Sequence, residues 1–363
     1  MKGKKFNATT SSLATYFVMF LIFILVRMLF LHIQLPFSDN ANDVIATFVV
    51  QVLIMFGLSV FLFGGIAKSK PSKTFSQFGY KKISVKALAI CLILGVLCYF
   101  FNVLVAGFFS AIIYLFGYES LPSQATLSDY SFVTFLIQIF TVCLLPAICE
   151  ETAHRGLLLG NLKKNGIIKA LLISSILFGL MHLSIQQFFY TAILGFIIGM
   201  SVVVSGSIFP GIIIHFMNNF LSTYFSFASA NGWLGGEITR ALNSFIYSNS
   251  NIFSVFLTIV LVLAIIVAII IVLFVALIKE TRLKRAKETM TKLYTESILQ
   301  EGDADAESAL RIEAINNFAL EFGSFFGDEY KSKNFSSIQK VWLASIFVMG
   351  AIVTISTFVW GIL

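Results

Sequence analysis

Between Pro146 and Gly160 the sequence reads PAICEETAHRGLLLG, which sets Glu150, Glu151, His154 and Arg155 into a segment otherwise apolar from Phe132 to Cys149. An ionisable side chain at bilayer depth costs about 2.5 kcal/mol or more, so such residues face a bundle interior or a hydrated cavity and take part in function. On a helix, residues four apart share a face. Glu151 and Arg155 therefore form one pair, and Glu150 and His154 a second pair rotated by about 100°. One pair can neutralise itself while the other carries out chemistry. Pro146 lies one turn before Glu150 and cannot donate to the carbonyl of Val142, which predicts a loosened helix and a freed carbonyl in need of a partner.

Two further apolar segments carry histidines: FGLMH, with Phe178 and His182, and HFMNN, with His215, Asn218 and Asn219. Counted from the ends of their segments at the helical rise, Glu150, His182, His215 and Asn219 lie about 14 to 20 Å deep. They can meet in one buried, hydrated cavity. A carboxylate and an imidazole at one depth can deprotonate a water, and attack on a peptide carbonyl then develops an oxyanion. Glu150 with His182 is the expected base. His215 and Asn219, four apart on one helical face, are the expected donors to the oxyanion, and Glu151 with Arg155 is the expected structural support. The same residues allow a metal site, with Glu150, His182 and His215 as three ligands and an open position for water. The cofactor expectation is thus one divalent metal such as zinc, or none.

These residues must be held by membrane helices. The chain of 363 residues is 58% hydrophobic and 12% charged, with a mean hydropathy of +0.91, a composition foreign to soluble domains. The fold class expected is an all-α polytopic membrane protein, a bundle of 8-9 transmembrane helices around a buried polar site. Apolar segments run at about 13–33, 44–67, 86–117, 131–160, 167–184, 187–205, 207–228, 252–278 and 341–363. With the N-terminus cytoplasmic, the strongly basic loops all fall inside, as the positive-inside rule requires; the protein is expected to be multi-pass in the cell membrane. Arg27, near the outer end of the first span, reads as an interface residue that snorkels.

The organisation expected is 1–130, N-terminal spans; 131–228, the core carrying the chemistry; 229–278, an external loop and eighth span; 279–340, a charged cytoplasmic insert; and 341–363, a last span. The insert holds eleven of the chain's 18 acidic residues. Within it, Leu310, Ile315, Phe318, Phe322 and Phe325 follow a helical spacing suited to membrane or to a cytoplasmic partner. Cys91, Cys98, Cys143 and Cys149 lie in apolar segments without a CxxC and read as core residues. No nucleic-acid motif is present. Gly195 and Gly199 form a GxxxG that reads as close helix packing.

Taken in order on successive spans, Glu150-Glu151-x-x-x-Arg155, Phe178-x-x-x-His182 and His215-x-x-x-Asn219 resemble the CPBP family of intramembrane proteases. That family comprises the type II CAAX prenyl endopeptidases and the bacteriocin-processing or immunity proteins. The resemblance covers roughly Phe132 to Ser226. It implies that Glu150 and His182 activate water while His215 and Asn219 hold the oxyanion, with or without a metal. The function expected is endoproteolysis of a membrane-tethered peptide or protein. The alternatives are a non-catalytic membrane adaptor or immunity protein binding a partner through 279–340, and a proton-coupled transporter using Glu150 and His182 as a relay. The unusual parts against that pattern are His154 within the first motif, the insert at 279–340 and the ninth span after it.

Overall fold

The computed structural model describes residues 7–32, 36–37, 39–118, 129–238, 241, 252–283 and 334–362. Every regular element among them is a helix. We number these α1 (Ala8–His32), α2 (39–66), α3 (Pro71–Gln77), α4 (Val85–Leu115), α5 (Phe132–Asn165), α6 (Ile167–Met181), α7 (Ile185–Ser205), α8 (Phe209–Asn231), α9 (252–283) and α10 (Ser337–Ile362). Local chemistry sets several ends. Ser84 accepts from the amide of Ala87 to cap α4, and Ser131 accepts from that of Thr134 to cap α5. Pro210 sits in the first turn of α8, where a missing N–H costs nothing. Gly206 and Gly232 close α7 and α8 in the left-handed conformation, with φ of 64° and 68°.

Seven of the nine predicted spans form helices long and apolar enough to cross a bilayer, among the described residues. The two that fall short are α6 and α8, the ones that carry His182 and His215. At 15 residues α6 extends about 23 Å, less than a hydrocarbon core. Its successor α7 starts after a three-residue turn at 182–184, so His182 sits at a helix end within the bundle. Helix α8 has 23 residues, and its polar face of His215, Asn218 and Asn219 dilutes its apolar character.

Long-range hydrogen bonds show how the helices alternate. At one end Thr9 Oγ1 donates to the Asn161 carbonyl, Gln339 Nε2 to Thr10 Oγ1, Ser84 Oγ to Glu280 Oε1, and Ser207 Oγ to the Lys81 carbonyl. The starts of α1, α4, α8 and α10 therefore gather with the ends of α5, α7 and α9. Lys81, Lys86, Lys163 and Lys164 belong to the same end, called the basic end below. At the opposite end Thr357 Oγ1 accepts from the Ile185 amide, and Asn231 Nδ2 donates to the Tyr130 carbonyl. Helix α4 packs on α7, α8 and α9, α6 on α7, and α1 on α2 and α10. All four cysteines are buried and free.

Two long helices change pitch. In α2 residues Val49–Leu62 wind as a π-helix, and in α5 the π segments Ile139–Leu144 and Thr152–Leu159 flank the α-helical turn Leu145–Glu151 that carries both glutamates. Such wide turns rotate the following residues off the α-helical register and recur at functional sites. The part of the insert at 284–333, including the Leu310 to Phe325 pattern, lies outside the described residues.

Candidate active site

Helix α5 is gripped from the basic end by the segment after α2. Phe78 lies against Gly156, where a Cβ would come within 2.9 Å of the ring. Tyr80 bonds Thr152 at 2.6 Å, and Thr152 Oγ1 donates in turn to the Ile148 carbonyl. Burial pushes the Tyr80 phenol up to about 12, so it remains a neutral donor to Thr152. The turn bearing Glu150 and Glu151 is thereby fixed from below.

Glu151 and Arg155 are completely buried and joined through Oε1 and Nη1 at 3.0 Å. Arg155 Nη2 donates to the Gly195 carbonyl at 2.7 Å, and the guanidinium lies 4.5 Å over the Phe178 ring. A Cβ at residue 195 would stand 3.0 Å from Phe178 and 3.3 Å from Arg155 Nη2. The GxxxG of α7 thus makes room for this guanidinium as well as for the neighbouring helix. Glu151 Oε1 also receives His215 Nδ1 at 2.9 Å. One neutralised pair on α5 therefore orients the histidine of α8.

Glu150 has different surroundings. Gln51 Nε2, from α2, donates to its Oε1 at 2.8 Å. Its Oε2 lies 3.9 Å from His215 Nε2, and its side chain is 15% exposed against 0% for Glu151. A gap of 3.9 Å is too long for a direct hydrogen bond but suits a water about 2.8 Å from each atom. His182 donates Nδ1–H to the Phe178 carbonyl at 2.9 Å, leaving Nε2 free, and its ring lies within electrostatic reach of Glu150, His215 and Arg27. Phe178 stands edge-on to His154, His182 and His215, at centroid distances of 5.1, 5.1 and 5.5 Å. This one buried ring spaces all three imidazoles and the guanidinium.

Three placements depart from simple helical reasoning. His154 does not pair with the Glu150 carboxylate. It donates Nδ1–H to the Glu150 backbone carbonyl at 2.9 Å and accepts from Tyr16 OH at Nε2, also at 2.9 Å. The pitch change at Thr152 and the hold of Gln51 on Oε1 account for the difference. Asn219 donates to the Val142 carbonyl at 3.0 Å, the acceptor that Pro146 leaves free, and accepts from Asn218 at 3.2 Å. It is thus tied to α5 about two turns before Glu150, with no hydrogen bond to His215 among the described residues. Arg27 is exposed, and its charge lies within electrostatic reach of Glu150.

Tyr16 and Gln51 are absent from the sequence-based candidates. Each is a polar group in an apolar span, which is ordinary in helix bundles, so nothing in the sequence alone marks them. As to a metal, His215 and His182 each donate Nδ1–H, which leaves Nε2 as the atom that could ligate, and Glu150 keeps Oε2. Among the described residues no three His, Cys, Asp or Glu side chains form a metal-ligand group. The chemistry below is derived from side chains alone.

No curated protein and no solved structure matches the chain. Residues 132–221, about a quarter of the chain, match the family model described as type II CAAX prenyl endopeptidase Rce1-like. The matched segment contains all of α5, α6 and α7 and the part of α8 bearing His215 and Asn219. Residues 132–221 are therefore similar to an Rce1-like domain of the CAAX-protease type, which supports the resemblance to the CPBP family carried by the three motifs.

Proposed function

We propose that the protein is an intramembrane endopeptidase that hydrolyses a peptide bond in a membrane-tethered peptide or protein, with Glu150 as general base. The observation that carries this reading is the unequal treatment of two adjacent carboxylates. Glu151 is sealed and neutralised by Arg155, whereas Glu150 keeps one oxygen free, partly exposed and facing an imidazole. A water between Glu150 Oε2 and His215 Nε2 gives its proton to Glu150, and the hydroxide adds to the scissile carbonyl. The tetrahedral oxyanion is held by Nε2–H of His215 in its imidazolium form, whose Nδ1–H stays on Glu151, while His182, with Nδ1–H on the Phe178 carbonyl, presents Nε2 as an acceptor to the same water. Glu150 then passes the proton to the leaving nitrogen, and the C–N bond breaks to give a carboxylate and an amine.

Asn219 acts by fixing α8 to α5 through Val142, so that His215 stays at its distance from Glu150. The basic end is taken as cytoplasmic, by the positive-inside rule. The reading is tested by comparing membrane peptidomes from cells carrying wild type, Glu150→Gln, His182→Ala and an empty vector. A cleaved peptide seen only with wild type supports proteolysis and names the substrate. Matching peptidomes, with a deletion phenotype that Glu150→Gln still rescues, replace it with the adaptor reading through residues 279–340.

A further inference from the structure

The segment Val49–Leu62 is apolar except for Gln51 and Ser59, and it lies outside the residues that match the family model. A buried amide in such a helix is unfavourable unless it is hydrogen-bonded, so a leucine there would hold the bundle at lower cost. Gln51 is 8% exposed. Its Nε2 donates to Glu150 Oε1 at 2.8 Å. The opposite amide orientation would set two acceptors at that distance, so the donor assignment follows from the carboxylate. Its Oε1 is buried without a partner among the described residues, an acceptor held beside the reactive carboxylate. The π-helical turn that starts at Val49 directs Gln51 inward while Phe48 and Leu53 remain 47% and 54% exposed.

We propose that Gln51 is the positioning residue for Glu150. It anchors Oε1 and so keeps Oε2 turned toward His215 Nε2, where the attacking water is received. Helix α2 thereby adds to a site whose glutamates and histidines all come from 132–221. The role rests on the hydrolytic reading of Glu150.

The test uses the full chain in proteoliposomes, with the peptide that the membrane comparison identifies. Gln51→Met, equal in shape and without a donor, is expected to lower kcat about tenfold to a hundredfold with KM within about twofold, since misplacing a reacting group by about 1 Å costs that much. Gln51→Asn, which withdraws the amide by one methylene, is expected to lower kcat too and carries the test if the methionine variant folds poorly. Ser59→Ala, on the same helix and buried against Met19, is expected to cleave as wild type. Wild-type kcat in both Gln51 variants overturns the proposal. An equal fall in Ser59→Ala, or a matching rise in KM, also overturns it, because general loosening of α2 would then explain the loss. Absence of product from wild type defeats the hydrolytic reading itself, and the role of Gln51 with it.

Discussion

Removing one member of the Glu151–Arg155 pair should cost far more than its share of removing both. Both side chains are shut off from solvent, at 0% and 1% exposure. Breaking a buried ion pair costs about 3–5 kcal/mol, mainly because the remaining charge is left buried and alone. Arg155→Met orphans Glu151 and also frees the Gly195 carbonyl and the face of Phe178. Glu151→Gln orphans the guanidinium but keeps an oxygen for His215 Nδ1. If the two changes acted independently, the double variant would lose about 6–10 kcal/mol, twice the single cost. With no charge left unpaired, the double loses chiefly the carbonyl contact and the cation–π contact, which is worth about 2 kcal/mol when desolvated. We expect a coupling energy of about 3 kcal/mol or more, at or above the upper range for residues in direct contact. The assay is reversible unfolding in mixed micelles titrated with dodecyl sulfate, followed by circular dichroism, on wild type, both singles and the double. Additivity to within about 0.5 kcal/mol would refute the claim that the pair acts as one neutral unit, and with it the division of labour between Glu151 and Glu150.

Other expectations can be checked on the same preparations. Gly195→Ala drives a methyl to 3.0 Å from Phe178 and should cost about 1–3 kcal/mol, whereas Gly107→Ala, in α4 with nothing within 4 Å, should stabilise by about 0.5–1 kcal/mol; the same unfolding titration measures both. Asp129, just before α5, accepts from the Ser131 hydroxyl, the Thr134 hydroxyl and the Ser131 amide, which hold its carboxyl below the usual range. Its contribution to the start of α5 is therefore present above a pH of about 4, the unfolded value, and is lost as pH falls through the lower folded value. Amide exchange at residues 131–135 should accelerate there in wild type and lose that pH dependence in Asp129→Asn. Turnover of an identified substrate should survive prolonged treatment with a strong chelator, with metal content followed by mass spectrometry; loss of turnover with the metal and its return on adding zinc would contradict a site that works through side chains alone.

Much of the site follows from helical periodicity. The i, i+4 spacing brings Glu151 to Arg155, and the missing N–H of Pro146 leaves a carbonyl that an incoming side chain, Asn219, takes up. The alternation of basic and polar loops matches the ends at which the helices meet. What periodicity does not carry are the pitch changes. An α-helical wheel places His154 beside the Glu150 side chain, but the π turn from Thr152 turns it to the backbone carbonyl and to Tyr16. Nor does it carry partners brought from far along the chain, since Gln51 and Glu150 are separated by 99 residues. One polar side chain in an apolar span is ordinary in helix bundles, where such groups bond between helices. Gln51 and Tyr16 therefore stand out only once their partners are known.

Hydrolysis by Glu150 is tested most directly by turnover in proteoliposomes prepared in water enriched in oxygen-18. The identified peptide is incubated with wild type and with Glu150→Gln, and the products are weighed by mass spectrometry. Wild type should release a new carboxyl terminus carrying one heavy oxygen, and Glu150→Gln should release at least a hundredfold less, in line with the loss of a general base. Equal cleavage by Glu150→Gln, or a product without the heavy oxygen, would contradict it.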